Sequence, residues 1–393
     1  MTADAERIKS LDYIRGLSIL GILLVNAIAF AQPFAVYANP TLSTLPLSHT
    51  DLVTWWVIET FFKMKFISSF NMLFGVSMFL VGRDQGPGVT GTPLFRRLLW
   101  MVVFGLIHGA LIWHGDILLA YAVTGFVFWR WRAVSAQKLL LWGGFLFLTG
   151  AVIQLWPLID FQPGTVDTAP AAGPIIAAMR GSFWDSLAQN VADWASTIFL
   201  ELIMYLPTTL GLMMLGLGLF KLGILSGVAK TRTYLLFVLA GMISLAIIGW
   251  QSWMIVQSNF AFPQSFGIGA IANTVLCLPV AIGYAAALIL LGRTKPGAIL
   301  LYPLACAGRM AFTNYLCQSL IMTAIFYGGR GGPALFGTMN HAALVPIVVA
   351  IWLGQLVFSM LWLLVFRYGP FEWVWRCLTY RRWIPLLTAK AAT

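Results

Sequence analysis

Two of the four histidines lie in one segment, GLIHGALIWHGDILLAYAVTG, which sets His108 among apolar residues and brings His114 and Asp116 to a turn at Gly115. An imidazole in such surroundings can accept or donate a proton near neutral pH, the requirement for a general base, and Asp116 is the nearest group that could orient it. His114 and Asp116 read equally as solvated turn residues, and a single intramembrane histidine reads equally as a hydrogen-bonded contact between helices. A second group lies in ETFFKMKF, where Glu59 and Lys63 are four residues apart on one helical face and form an ion pair there. Lys65 points elsewhere and enters the hydrocarbon level, which suits a buried pocket. Asn26, and Thr313, Asn314, Gln318 and Ser319 further on, add amides and hydroxyls. Their default use is interhelical bonding; Asn26 and Asn314 would also suit donors to a developing oxyanion. Arg15, Arg96, Arg97 and Arg309 form a separate basic group, each near the start of an apolar run. Guanidinium forks at a cavity mouth hold phosphates bidentately, as a coenzyme A thioester would require.

These residues are informative because the background is so apolar. Of 393 residues, 60% are hydrophobic and only 9% charged, and the mean hydropathy is +0.86. A soluble globular chain carries about 25% charged residues, so this composition excludes a water-soluble enzyme with one core and defines an integral membrane protein. The 14% aromatic content suits many helix ends at the lipid headgroups. The net charge of +11 is scattered among hydrophobic runs, so it marks membrane sidedness and not nucleic acid as a partner. Cys277, Cys306, Cys317 and Cys377 form no CxxC pair and have no histidine at ligand spacing, so neither a zinc site nor a disulfide framework is indicated. The N-terminal run has no small-residue cleavage site and is read as a retained first helix.

The expected fold class is all-α, with about ten transmembrane helices. Runs near the ~20 residues needed to cross the hydrocarbon core fall at 11–31, 51–81, 94–113, 116–131, 138–159, 197–220, 234–256, 267–291, 305–327 and 342–366. Basic residues resist translocation, and all but four of the 24 fall in the tails and alternate loops that begin with the N-terminus. Both termini are therefore expected in the cytoplasm. The exceptions, Lys63, Lys65, Arg180 and Arg330, lie on or toward the opposite side, whose longest loop carries Asp160, Asp167, Asp185 and Asp193. Residues 1–393 are read as one transmembrane domain, with an extracytoplasmic loop at 160–196 and a cytoplasmic tail at 367–393. Within the loop, Ile176, Met179, Phe183, Leu187, Val191 and Trp194 recur every three or four residues, the pattern of an amphipathic helix on the outer membrane face.

LDYIRGLSILGILLVN, KFISSFNMLFG, GLIHGALIWHGDILLAYAVTG, GRMAFTNYLCQSL and YGPFEWVWRCLTY, in that order, resemble the bacterial YeiB family of inner-membrane proteins over residues 11–380. That family looks like a branch of the transmembrane acyltransferase superfamily, which includes polytopic O-acyltransferases and the lysosomal heparan-glucosaminide N-acetyltransferase. The O-acyltransferases carry an arginine followed, after ten residues, by a catalytic histidine. Here Arg15 is followed at that spacing by Asn26, as in the heparan-glucosaminide enzyme; the position of that enzyme's later histidine is Tyr37, and the nearest histidine is His49.

The resemblance implies transfer of an acyl group from a cytoplasmic thioester, acyl-coenzyme A as co-substrate, to a hydroxyl or amine of an envelope glycan, lipid or small molecule. His108 is then the expected base, oriented by Asp116. Asn26 and Asn314 are the expected oxyanion donors, Lys65 suits either role, and Arg15, Arg97 and Arg309 hold the donor phosphates. The alternative is a secondary transporter or flippase that uses Glu59, Lys63, Asp116 and His108 for protons or a polar solute. The duplicated halves usual in transporters are absent from the sequence.

Overall fold

A computed structural model describes residues 8–81, 93–155, 172–261 and 268–388. Arg7, Arg83 and Lys390, which are among the basic residues counted above in the tails and alternate loops, and Asp160 and Asp167 lie outside them. The helices are α1 (Lys9–Ala31), α2 (Phe34–Ala38), α3 (His49–Phe61), α4 (Lys65–Val81), α5 (Pro93–Ile107), α6 (Leu118–Phe128), α7 (Ala136–Leu155), α8 (Ala172–Arg180), α9 (Phe183–Lys221), α10 (Thr231–Gln257), α11 (Ile268–Gly292), α12 (Lys295–Leu300), α13 (Tyr302–Arg309), α14 (Ala311–Phe326), α15 (His341–Val365) and α16 (Pro370–Tyr380). Among the described residues the only β pairing is an isolated bridge between Phe366 and Leu387.

Eight helical stretches among the described residues are long and apolar enough to cross a membrane. The other two expected spans are made of shorter pieces. Helix α6 has 11 residues, about 16 Å at 1.5 Å per residue, and α13 and α14 meet at Met310, whose ψ of 29° ends the first helix. The span expected at 51–81 is likewise two helices, because the chain turns at 62–64 and Met64 adopts a φ of +67°. Carbonyls freed by that break are met by side chains. Lys65 Nζ donates to the Glu59 carbonyl at 2.6 Å, and the Tyr284 hydroxyl donates to the Phe61 carbonyl at 3.0 Å.

The expected amphipathic loop helix is revised in the same way. Ser182 caps a new start, accepting from the Asp185 N–H while the Asp185 carboxylate accepts from the Ser182 N–H and hydroxyl. From there α9 runs 39 residues, about 58 Å, so residues 183–196 are the first turns of a membrane-crossing helix that projects beyond the ~30 Å core. Pro207 lies inside it without ending it.

Helix α1 is the centre of the bundle, buried on nearly every face and packed against α4, α11, α13, α14 and α15. Its crossing with α13 is a backbone contact. A Cβ on Gly16 would strike the Leu304 carbonyl, and one on Gly308 would strike the Asp12 carbonyl, so glycine at both positions lets the helices touch. That contact sets Arg15 beside Arg309. Amides lock the other side of α1. Gln318 Nε2 donates to the Ile19 carbonyl at 3.3 Å and to Gln355 Oε1 at 2.8 Å, and Gln355 Nε2 donates to the Asn314 carbonyl at 2.8 Å.

The segment after α15, expected as a tail, returns to the bundle. Helix α16 packs on α5 and α14. The Glu372 carboxylate caps α14, accepting from the Phe312 N–H at 2.7 Å, the Thr313 N–H at 3.1 Å and the Thr313 hydroxyl at 2.5 Å.

Candidate functional site

The site is built where α5 stops being an α-helix. Residues His108–Ile112 form one π-turn, closed by the Trp113 N–H donating to the His108 carbonyl at 2.8 Å. Asn190 of α9 secures the altered backbone: its Nδ2 donates to the Gly109 and Ala110 carbonyls at 3.0 and 2.9 Å, and its Oδ1 accepts from the His114 N–H at 2.8 Å. Such turns recur at functional sites because they re-aim one side chain. Here it is His108, which is 1% exposed.

His108 Nδ1 lies 2.9 Å from Asp116 Oδ1, and His108 Nε2 lies 2.9 Å from Ser319 Oγ. A carboxylate only accepts, so Nδ1 carries the proton and Nε2 is left as the acceptor facing the serine hydroxyl. Asp116 is fixed in turn by the Leu118 and Leu119 N–H groups at 3.1 and 2.9 Å, which start α6. Ser319 Oγ also lies 3.4 Å from the Tyr315 carbonyl, so the imidazole is its closer partner. All three side chains are buried. A hydroxyl, an imidazole and a carboxylate in this order can pass a proton along the chain, an arrangement able to activate the hydroxyl as a nucleophile.

A cavity of about 730 Å³ approaches this relay from the other end. Its mouth carries Arg15, Arg97, Arg309, Arg367 and Arg376 against two acids, Asp12 and Glu372, and its deep wall includes Ile117, Leu118 and Tyr315. The Tyr315 ring lies 4.9 Å from the His108 ring and separates the cavity from it. The arginines are held in place. Arg15 pairs with Asp12 at 3.4 Å, Arg97 stacks 3.7 Å from the Trp375 ring, and Arg309 donates to the Arg367 carbonyl at 3.3 Å. Residues at both ends of the described chain, Ile8 and Arg376 among them, line this one cavity.

The remaining sequence candidates lie apart from the relay. Lys65, fully buried, donates to Asn273 Oδ1 at 2.6 Å as well as to the Glu59 carbonyl. Asn273 Nδ2 donates to Glu59 Oε1 at 2.6 Å, and Lys63 Nζ pairs with Glu59 Oε2 at 2.9 Å, so the expected ion pair belongs to a separate polar knot beside the helix break. Asn314 spends both amide hydrogens on the Ala307 carbonyl and Ser359 Oγ, each at 3.1 Å, and braces α13 and α15. Asn26 is half-buried on α1 and takes no part in the hydrogen bonds of the relay. Sequence reasoning passed over Ser319 as a packing hydroxyl, and had no signal for Asn190 or Tyr315 beyond their polarity.

Fold and site together define an all-helical, polytopic membrane protein with a buried serine–histidine–aspartate hydrogen-bond chain and a cationic cavity at one end. The chain is 34% identical to the uncharacterized protein YeiB of Escherichia coli (strain K12) over 392 residues, covering 96% of this chain and 97% of the relative. It is 31% identical to the uncharacterized protein YxaH of Bacillus subtilis (strain 168) over 407 residues, covering 98% and 97%. A family model described as a protein of unknown function (DUF418) matches residues 219–382, the stretch that carries Arg309, Ser319 and Glu372. The chain belongs to the YeiB family.

Proposed function

We propose that this protein is an acyltransferase of the bacterial inner membrane, with both termini in the cytoplasm, that moves an acyl group from a cytoplasmic thioester to an acceptor on the far side. The observation that carries this reading is the cavity, with Arg15, Arg97 and Arg309 at its mouth and Tyr315 as the wall between it and the Ser319–His108–Asp116 relay. A volume of about 730 Å³ is in the range of sites that enclose a cofactor-sized ligand. The arginines match the phosphates of a coenzyme A thioester, and the apolar walls match its acyl arm.

In this account His108 Nε2 takes the Ser319 proton, Ser319 Oγ bonds to the thioester carbonyl, the C–S bond breaks, and the departing thiolate takes the proton from His108. The acceptor's hydroxyl or amine then loses its proton to His108 and attacks the acyl-serine, and Ser319 recovers its proton as the C–O bond breaks. Asp116 holds the imidazole in the required tautomer throughout. Tyr315 is the residue whose side chain must move for donor and relay to meet. Melting of the purified protein with coenzyme A and short acyl thioesters tests the donor site. Saturable stabilisation by the thioester, lost in Arg15→Ala and Arg97→Ala, is the expected result, and no stabilisation by any thioester contradicts it.

A second reading, a secondary transporter for a polar solute, is favoured by one observation. The α3–α4 break places buried Lys65 beside Glu59 and Asn273, and broken helices with buried ions are common in transporters. Uptake of solute into vesicles in the absence of any thioester would support it.

A further inference from the structure

Arg330 is one of the four basic residues that the charge pattern leaves on the far side of the membrane. It does not line the arginine-rich cavity. Its Nη1 donates to the carbonyl of Ile112, the last residue of the π-turn that begins with His108, at 2.9 Å. Its Nε and Nη2 are buried and have no hydrogen-bond partner among the described residues. Those two atoms form one edge of the guanidinium, with parallel N–H bonds spaced to meet the two oxygens of a carboxylate or phosphate. The faces of the group are covered by aromatic rings, with Tyr327 at 5.2 Å and Phe183 at 5.8 Å, so the edge is where a ligand would bind.

Further polar atoms without partners among the described residues surround the same turn. Trp113 Nε1 and the His114 ring, one nitrogen of which is a donor when neutral, follow it directly, Trp194 Nε1 sits where a Cβ on Gly109 would be, and the Tyr327 hydroxyl belongs to the ring against Arg330. All of these atoms are buried and have no hydrogen-bond partner among the described residues. Buried polar groups are paired in the great majority of cases, and two unpaired guanidinium donors are costly unless an anion completes them. Among the described residues no carboxylate forms an ion pair with Arg330; Asp193, on α9, accepts from Gln189 Nε2 at 2.8 Å. The protein therefore offers a cationic edge and several neutral donors around the backbone turn that carries His108, on residues separate from those holding the donor.

We infer that Arg330 binds an oxyanion on the molecule that receives the acyl group, so that the acceptor is an acid bearing a carboxylate or a phosphate. The word acceptor rests on the acyl-transfer reading; the binding of an oxyanion at Arg330 does not. The test therefore omits the thioester. Purified full-length protein in detergent is titrated with glucuronate, with inorganic phosphate and with neutral glucose at matched ionic strength, by calorimetry and by melting.

Glucuronate or phosphate is expected to bind and stabilise while glucose does not, and whichever anion binds identifies the group. Arg330→Gln should weaken that binding by about tenfold to a hundredfold, the usual worth of hydrogen bonds to a charged group. It should leave stabilisation by coenzyme A thioesters unchanged. Arg330→Lys keeps the charge without the paired edge and should fall between the two, which preserves the test if the glutamine variant fails to fold. Equal binding of glucose and glucuronate, no binding of either anion, or undiminished anion binding in Arg330→Gln would overturn the inference. Loss of thermal stability alone, with anion binding intact, would make Arg330 only a brace for the Ile112 carbonyl. Thioester binding without anion binding would leave the enzyme reading standing and remove this one; anion binding without thioester binding would do the reverse.

Discussion

In the proposed relay, orientation and chemistry fall to different residues. Asp116 does two jobs, since it fixes the tautomer of His108 and accepts from the Leu118 and Leu119 N–H groups at the start of α6. Asp116→Asn keeps an acceptor for the backbone but offers the imidazole a group that is no longer a carboxylate. Turnover is expected to fall by about 10³-fold or more, with melting little changed. Asp116→Ala loses the cap as well and should cost an additional ~1 kcal/mol of stability, measured by denaturation in mixed micelles. His108→Ala should abolish turnover at normal expression. The pairing of His108 with Asp116 was legible because both residues fall in one short segment whose turn brings them back together. Ser319 was not, because 211 residues separate it from His108 and nothing in its own helix says which neighbour it faces. The Arg330 edge was legible only as a charge on the wrong side.

At the scale of elements, the cavity depends on two helix contacts. The Gly16–Gly308 crossing brings Arg15 and Arg309 to one mouth, and Gly308→Leu would have to push α13 off α1 by the width of a side chain. The expected outcome is loss of thioester stabilisation together with a lower melting temperature, whereas Gly144→Leu, at a position where a Cβ meets nothing within 4 Å, should change neither.

The second contact is the docking of α16 through Glu372. Burial pushes its carboxyl above the ordinary glutamate value of 4.5, against the opposing pull of the Thr313 hydroxyl and the α14 N–H groups. The folded protein then keeps this proton to a higher pH than the unfolded chain does, so the stability contributed here declines as pH rises through the window above 4.5. Glu372→Gln should remove that part of the decline, seen as a flatter plot of melting temperature against pH. Hydropathy located α15 but left residues 367–393 as a tail, and had no means of showing that α16 folds back there as a wall of the site. The break at 62–64 was equally hidden, because Glu59 and Lys63 in the run from 51 to 81 read as one ion-paired helix face and not as the meeting of two helices. The excess length of that run was its one visible sign.

For the molecule as a whole, residues near both ends of the described chain line one cavity, and the charge bias of the loops is the basis for proposing that both tails are cytoplasmic. Fluorescent-protein fusions at either terminus should both fluoresce and alkaline phosphatase fusions at either should both be inactive; activity of one would break the assigned topology. The composition declared a membrane bundle and the hydropathy its spans. The arrangement of those spans around α1 was out of reach, since in lipid the contacts are made by glycine and amide positions that look alike on every helix.

The central claim is that the donor cavity feeds an acyl group to Ser319, and peptide mass spectrometry after incubation with acetyl-coenzyme A tests it most directly. The account predicts an added acetyl group on the segment containing Ser319 in the wild-type protein, and none in His108→Ala or Ser319→Ala. Release of coenzyme A at the wild-type rate by Ser319→Ala, with no acetyl on Ser319 in the wild type, would contradict it.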